Sequence, residues 1–198
     1  MRLTFLGTGT SQGVPVIGCR CEVCQSTDVR DNRLRTSAMV ECEDCRIIID
    51  AGPDFRQQML RTGVREIDAI LLTHEHKDHT GGLDDVRAFN FVDYPTIRVV
   101  DIFATPRTAK CIRKDFDYAF AENKYIGAPE MRLHEIDTTK PFNPHINQRI
   151  TDGVWTTATR GSISLGGLSN CVAWTGHATT KLICNIMYRC AVSCCQTN

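Results

Sequence analysis

The segment Thr73-His74-Glu75-His76-Lys77-Asp78-His79 places three histidines and an aspartate within six positions, directly behind the apolar run 67–72. Imidazole nitrogens and a carboxylate oxygen suit borderline divalent cations such as zinc, manganese or iron. The order His-x-His-x-Asp-His divides into two pairs. On an irregular loop leaving a strand end, His74 and His76 can face one ion while Asp78 and His79 face a second. Two ions a few ångströms apart generate a nucleophile near neutral pH and clamp both oxygens of a displacement at phosphorus or a carbonyl. Glu75 and Lys77 alternate with these four and are expected to point to solvent or to the loop's other side.

A second constellation precedes it. Cys19, Cys21 and Cys24 follow Gly18 as Cys-x-Cys-x-x-Cys, tight enough for three thiolates to close on one tetrahedral ion, with a fourth place left for a distant histidine or cysteine. The surrounding loop is poor in apolar residues and would gain order from a structural zinc. Cys42 and Cys45 form another Cys-x-x-Cys, but they flank a predicted two-residue turn and read as packing residues or loop thiols. Cys190, Cys194 and Cys195 carry no assigned chemistry.

These loops need elements to hold them. Residues 2–6 predict a strand that runs into the glycine-rich turn Gly7-Thr8-Gly9-Thr10-Ser11-Gln12-Gly13. No Gly-Lys-Ser/Thr follows and no helix pattern opens, so the turn is not a nucleotide P-loop. Residues 39–43 and 46–50 predict a hairpin. Residues 54–62 have helical spacing, with Asp54 as a candidate cap. The run 67–72 is almost wholly apolar, as in a strand covered on both faces. Residues 82–91 and 106–118 predict helices, the second with Pro106 in its first turn, and 96–104 and 132–136 predict strands. His134 belongs to the last of these rather than to the site. Strands alternate with helices, so the class is α/β, a sheet layered with helices.

The totals narrow the function. The chain has 198 residues, 23 basic and 23 acidic, enough for one well-buried domain and with no net field that calls for nucleic acid or membranes. No run approaches the apolar length of a membrane span, and the N-terminus lacks the pattern of a signal peptide. A cytoplasmic protein is expected, in which eleven cysteines favour thiolate ligands over disulfides. Composition breaks near Pro141. Residues 1–140 hold 22 acidic and 19 basic residues, whereas 141–198 hold one acidic residue, four basic ones and five of the cysteines. The tail has no apolar period and reads like a translation in the wrong frame. The expected organisation is a metal-binding domain over 1–140 and an atypical tail over 141–198, disordered or poorly packed.

The histidine motif behind an apolar strand resembles the signature of the metallo-β-lactamase superfamily, whose fold is an αβ/βα sandwich. The opening Gly7 to Pro15, Gly18-Cys19-x-Cys21-x-x-Cys24, the stretch Ile49-Asp50-Ala51-Gly52-Pro53-Asp54 and Gly81-Gly82-Leu83-Asp84-Asp85 are similar to its PhnP-like branch of phosphodiesterases. The resemblance covers residues 1 to about 140. It implies a binuclear metal-dependent hydrolase that attacks cyclic or other phosphodiesters through a metal-bridging hydroxide, with zinc or manganese as the two catalytic ions. His74 and His76 would bind the first ion and Asp78 and His79 the second, with Asp78 also assigned the catalytic role. Cys19, Cys21 and Cys24 would hold a structural zinc, and Asp50 would stabilise the loops around the site. The implied partner is a small phosphodiester, with no nucleic acid or membrane, and a homodimer is left open. A tRNA 3′-end nuclease, a thioesterase and a catalytically impaired metal-binding fragment are the alternatives.

The family pattern also requires a further histidine, a bridging aspartate and a late His-x-x-His. After Pro141 only His145, Asp152 and His177 are available, and they fit by order alone. An incomplete or aberrant C-terminal half is therefore expected.

Overall fold

The computed structural model describes residues 2–42 and 45–137. His145, Asp152, His177, Cys190, Cys194, Cys195 and the composition break at Pro141 lie outside these residues, as do Glu43 and Asp44 of the predicted hairpin turn.

Six strands form one sheet whose spatial order equals their sequence order: β1 (Arg2–Gly7), β2 (Ser37–Cys42), β3 (Cys45–Ile49), β4 (Ala69–Leu71), β5 (Val100–Ala104) and β6 (Met131–Glu135). The first three are antiparallel neighbours and the last four run parallel. Parallel neighbours need crossovers, and the helices supply them. Helix α1 (Phe55–Thr62) joins β3 to β4. The short helices α2 (Lys77–Thr80) and α3 (Arg87–Asn90) join β4 to β5, and α4 (Pro106–Asp115) with α5 (Asp117–Phe120) join β5 to β6.

Strand alternation sorts the side chains into two faces. Ile48, Ile70, Ile102 and Met131 pack with Phe55, Met59, Phe89, Ile112, Phe116 and Ala119 in one cluster, so α1, α3, α4 and α5 share one face of the sheet. Ile47, Ala69, Leu71 and Phe103 lie on the other face, where Ile136 packs against them. Fully burying a side chain such as Ile48, Ile70 or Ile102 contributes about 1.5–3 kcal/mol, and all three are 0% exposed.

Several predicted elements are shorter or divided. The helix predicted over 82–91 is a 3-10 turn, Leu83–Val86, followed by α3. The helix over 106–118 breaks at Phe116, whose backbone leaves helical geometry before α5 begins. The strand over 96–104 begins only at Val100, because Thr96 and Arg98 donate backbone bonds to Asp93 and Asn90 instead of to a neighbouring strand. Asp54 precedes α1 as expected but does not cap it. Its carboxylate instead accepts the Arg35 backbone N–H at 2.7 Å and the Arg35 guanidinium at 2.7 Å, tying α1 to the segment before β2.

Helix α4 starts as its sequence predicts. Thr105 Oγ1 accepts the Thr108 backbone N–H at 3.3 Å, and Pro106 occupies the first turn. Thr105→Ala is expected to cost about 1 kcal/mol, read as a lower urea midpoint at unchanged slope. A midpoint equal to the parent's would show that Pro106 alone sets the helix start. No described helix is long and apolar enough to cross a membrane.

Candidate metal centre

The site forms where the parallel strands β3 and β4 end. Asp50 follows β3 in the left-handed region, φ 63°, and its N–H bonds the Leu71 carbonyl. Its carboxylate, 1% exposed, points into the histidine loop. It accepts the Thr73 backbone N–H at 2.8 Å, the Thr73 hydroxyl at 2.9 Å and His79 Nδ1 at 2.7 Å. A buried carboxylate needs such donors to offset its lost hydration.

These bonds fix which ring nitrogens are left to bind a ligand. The Thr73 hydroxyl gives its single proton to the charged Asp50 carboxylate. At 2.9 Å from His74 Nδ1 it therefore acts as acceptor, which puts the proton on Nδ1 and a lone pair on Nε2. His79 likewise commits Nδ1–H to Asp50. The His74 Nε2 lone pair then faces His76 Nδ1 at 3.1 Å, and His79 Nε2 faces Asp78 Oδ2 at 3.2 Å. At these distances each pair can share a proton or hold a cation between its two atoms. The structure thus brings together the two pairs expected from the sequence, and the donor set fits divalent cations.

The rings also influence one another. His74 and His79 lie 4.0 Å apart between centroids. Burial, reinforced by His79 and His76, lowers the His74 pKa below 6.5 despite the nearby Asp50 and Asp78. Burial also works against charge on His79, but its bond to Asp50 and the charges of Asp50 and Asp78 outweigh this and raise its pKa above 6.5. In the metal-free protein the two should therefore titrate on opposite sides of the ordinary value. Folding stability from His79 is present below its unfolded pKa and lost as pH rises through its raised folded one. That from His74 is present above the unfolded pKa and lost as pH falls. Imidazole NMR titration checks this, and coincident midpoints would contradict it.

The loop itself is partly helical, which the sequence reading missed. His76 caps α2 with its carbonyl, which accepts the His79 and Thr80 backbone N–H groups at 2.9 and 3.1 Å. This turn brings Asp78 and His79 back under the His74–His76 pair. The segment after β3 locks it from below: Ala51 N–H bonds the His79 carbonyl and Gly82 N–H bonds the Ala51 carbonyl, both at 2.8 Å. Glu75 and Lys77 point to the loop's other side, one of the two directions expected, and both form ion pairs with α4, Lys77 from an exposed position. Thr73 was also missed, although its place directly before the first histidine marked it as able to reach back to the strand ends.

The cysteine loop converges as its spacing predicts. The sulfurs of Cys19, Cys21 and Cys24 lie within 4.8 Å of one another. Backbone N–H groups of Val16 and Cys24 donate to the sulfurs of Cys24 and Cys21, both at 3.4 Å, and hold the loop's curl. Among the described residues this is the group of three whose ligand atoms come close enough for one ion. Cys42 and Cys45, by contrast, are register partners across the hairpin. Burial, with Asp68 and Cys42 adding to it, pushes the Cys45 thiol up to about 12, so it serves packing. The glycine-rich turn after β1 pairs with the backbone before β2, Gly9 N–H bonding Leu34 O at 2.8 Å, and is used for close chain approach. His134 sits on β6 and bonds Asp101 at 2.7 Å, outside the site.

The sheet topology, the ligand loop and its supports are those of a metallo-β-lactamase half-sandwich, and the chain belongs to the β-lactamase superfamily: the sequence model of the β-lactamase superfamily domain matches residues 45–163. Within it the chain falls in the PhnP-like branch. A crystal structure of a diphosphatase from the PhnP family is 43% identical and superposes with a TM-score of 0.60, covering 69% of this chain and 51% of that one. A protein of Porphyromonas gingivalis strain W83 named octanoyltransferase is 45% identical over 143 residues, which are 72% of this chain and 28% of that protein. Zinc-bound PqqB from Methylobacterium extorquens shares the fold, at 23% identity and a TM-score of 0.54, over 73% of this chain and 48% of that one. The chain thus spans between about a quarter and a half of the length of these relatives.

Proposed function

We propose that this chain carries the ligand-bearing half of a binuclear metal-dependent hydrolase acting on phosphodiesters, cyclic ones included, in the cytoplasm. The observation that carries the reading is the convergence of two pairs of ligand atoms, His74 with His76 and Asp78 with His79, with the His74 and His79 rings oriented from behind by Thr73 and Asp50. His74 Nε2, His76 Nδ1, Asp78 Oδ2 and His79 Nε2 would hold two ions, zinc or manganese. Cys19, Cys21 and Cys24 would hold a structural zinc. When bound, such ions activate water near neutral pH and neutralise charge on a phosphoryl group. The residues' own part is to keep two ring protons on Nδ1, to orient the rings from behind, and to hold the carboxylate of Asp78 beside His79 Nε2, where it would complete the second ion's ligands. A PhnP-family diphosphatase as a 43%-identical structural neighbour supports phosphorus chemistry over thioester or amide hydrolysis.

A second reading, a metal-binding fragment of the family with impaired catalysis, draws support from the share of the relatives that the chain spans. Metal content together with turnover decides between them. The purified chain is loaded with zinc or manganese and assayed on bis(p-nitrophenyl) phosphate near neutral pH. Two ions beyond the cysteine-bound zinc, with turnover, support the hydrolase. Metal uptake at the histidines without turnover supports the fragment. No uptake there defeats both.

A further inference from the structure

Glu75 and Lys77 alternate with His74, His76 and Asp78 along the ligand loop, and their side chains reach away from it toward α4. Both end on α4. Glu75 Oε1 pairs with Arg107 Nη2 at 2.6 Å, and its Oε2 lies 3.4 Å from the hydroxyl of the buried Thr108. Lys77 Nζ pairs with Asp115 Oδ2 at 2.6 Å and stands 5.5 Å from the centre of the Phe116 ring. Arg107 lies in the first turn of α4 and Asp115 closes it, so the two attachments are about 12 Å apart along the helix axis. One attachment would fix the loop's position; two so far apart also fix its rotation. Helix α4 is itself anchored, since Ala109 and Ile112 are fully buried against the sheet.

We infer that α4 is a strut for the metal loop, with Glu75 and Lys77 as positioning residues that set the angle at which His74, His76 and Asp78 present their donor atoms. This rests on the metal-binding reading given above, but the strut has a consequence without metal as well. An exposed ion pair adds little to overall stability, whereas a small rotation of a ligand loop changes metal affinity steeply. Stability and site geometry should therefore separate.

The test compares the parent with Glu75→Arg, Lys77→Glu and the charge-exchanged doubles Glu75→Arg with Arg107→Glu and Lys77→Glu with Asp115→Lys. Two quantities are measured: amide hydrogen exchange of residues 74–80 in the metal-free protein, and zinc affinity in competition with a chelator. Each single variant is expected to speed exchange and weaken zinc binding by about tenfold, with the thermal midpoint nearly unchanged and the doubles recovering most of both losses. Cobalt substitution adds a spectrum that separates histidine-oxygen from thiolate coordination, so changes at the cysteine site are not mistaken for changes at the loop. If Glu75→Arg fails to fold, Arg107→Met removes the same pair from an exposed helix position. Exchange and affinity that stay within about twofold of the parent, as for an ordinary surface pair, overturn the strut. A parent that takes up no zinc at the histidines defeats the metal reading, while the exchange measurement still decides the strut.

Discussion

Asp50→Asn is expected to yield a folded protein whose histidine loop binds zinc about 10- to 100-fold more weakly. Asparagine keeps the shape of the side chain and tolerates the left-handed backbone at this position, so the strand end can survive. Its amide can accept on one side only. Either the Thr73 backbone N–H, which uses Oδ1, loses its acceptor, or the Thr73 hydroxyl and His79 Nδ1–H, which share Oδ2, lose theirs together. If the nitrogen turns toward His79, the ring must move its proton to Nε2, the atom that should bind metal, and the affinity falls without any ligand being touched. The stability loss should be about 1–3 kcal/mol, the cost of a buried polar group left without its partner. Chelator competition and urea unfolding measure the two effects separately. Unchanged zinc affinity in Asp50→Asn would show that the carboxylate does not set the tautomer.

Gly52→Ala should be still more damaging, and for a steric reason. A methyl group at this position would occupy the space of the Asp78 carbonyl oxygen. That oxygen belongs to the backbone of the ligand turn, so it cannot swing aside as the end of a side chain would. Either the segment 50–54 or the turn 77–80 must retreat, and the bonds from Ala51 to the His79 carbonyl and from Gly82 to the Ala51 carbonyl go with it. A loss of about 3 kcal/mol is expected, at the upper end for overpacked sites, together with loss of metal at the histidines. Gly63→Ala serves as the control. Its φ of 67° makes a side chain strained, but nothing lies within 4 Å of the added carbon, so about 1 kcal/mol should be lost and metal uptake kept. Parent-like stability and metal content in Gly52→Ala would refute the close approach.

The four proposed ligands were legible in the sequence because they lie within six consecutive positions and need no tertiary information to be grouped. The cysteine triad was legible for the same reason. The α/β class followed from apolar runs such as 67–72 alternating with helical spacing. What could not be read locally were the supports. Asp50 meets His79 across 29 positions and Lys77 meets Asp115 across 38, and no periodicity announces either contact. The alternation of Glu75 and Lys77 with the ligands left solvent and the loop's other side both open, and only the fold shows that α4 supplies their partners there. Helix α2 escaped notice because a four-residue turn carries too little pattern, and because its residues were already taken for a metal motif. Asp54 had the type and place of a helix cap, yet Arg35 outbids the helix N–H groups by offering charge as well as a donor.

The order of the strands has one more consequence. Each strand from β2 to β6 lies beside the one made just before it, so the sheet can grow by accretion as the chain is synthesised, with no strand waiting for a distant partner. Each step closes only the crossover between successive strands, a cost that grows slowly with its length. The histidine loop is flanked by β4 and braced by α4, both made within a few dozen residues of it. Its scaffold is therefore expected to stand on the ribosome early in synthesis, as a platform waiting for ions.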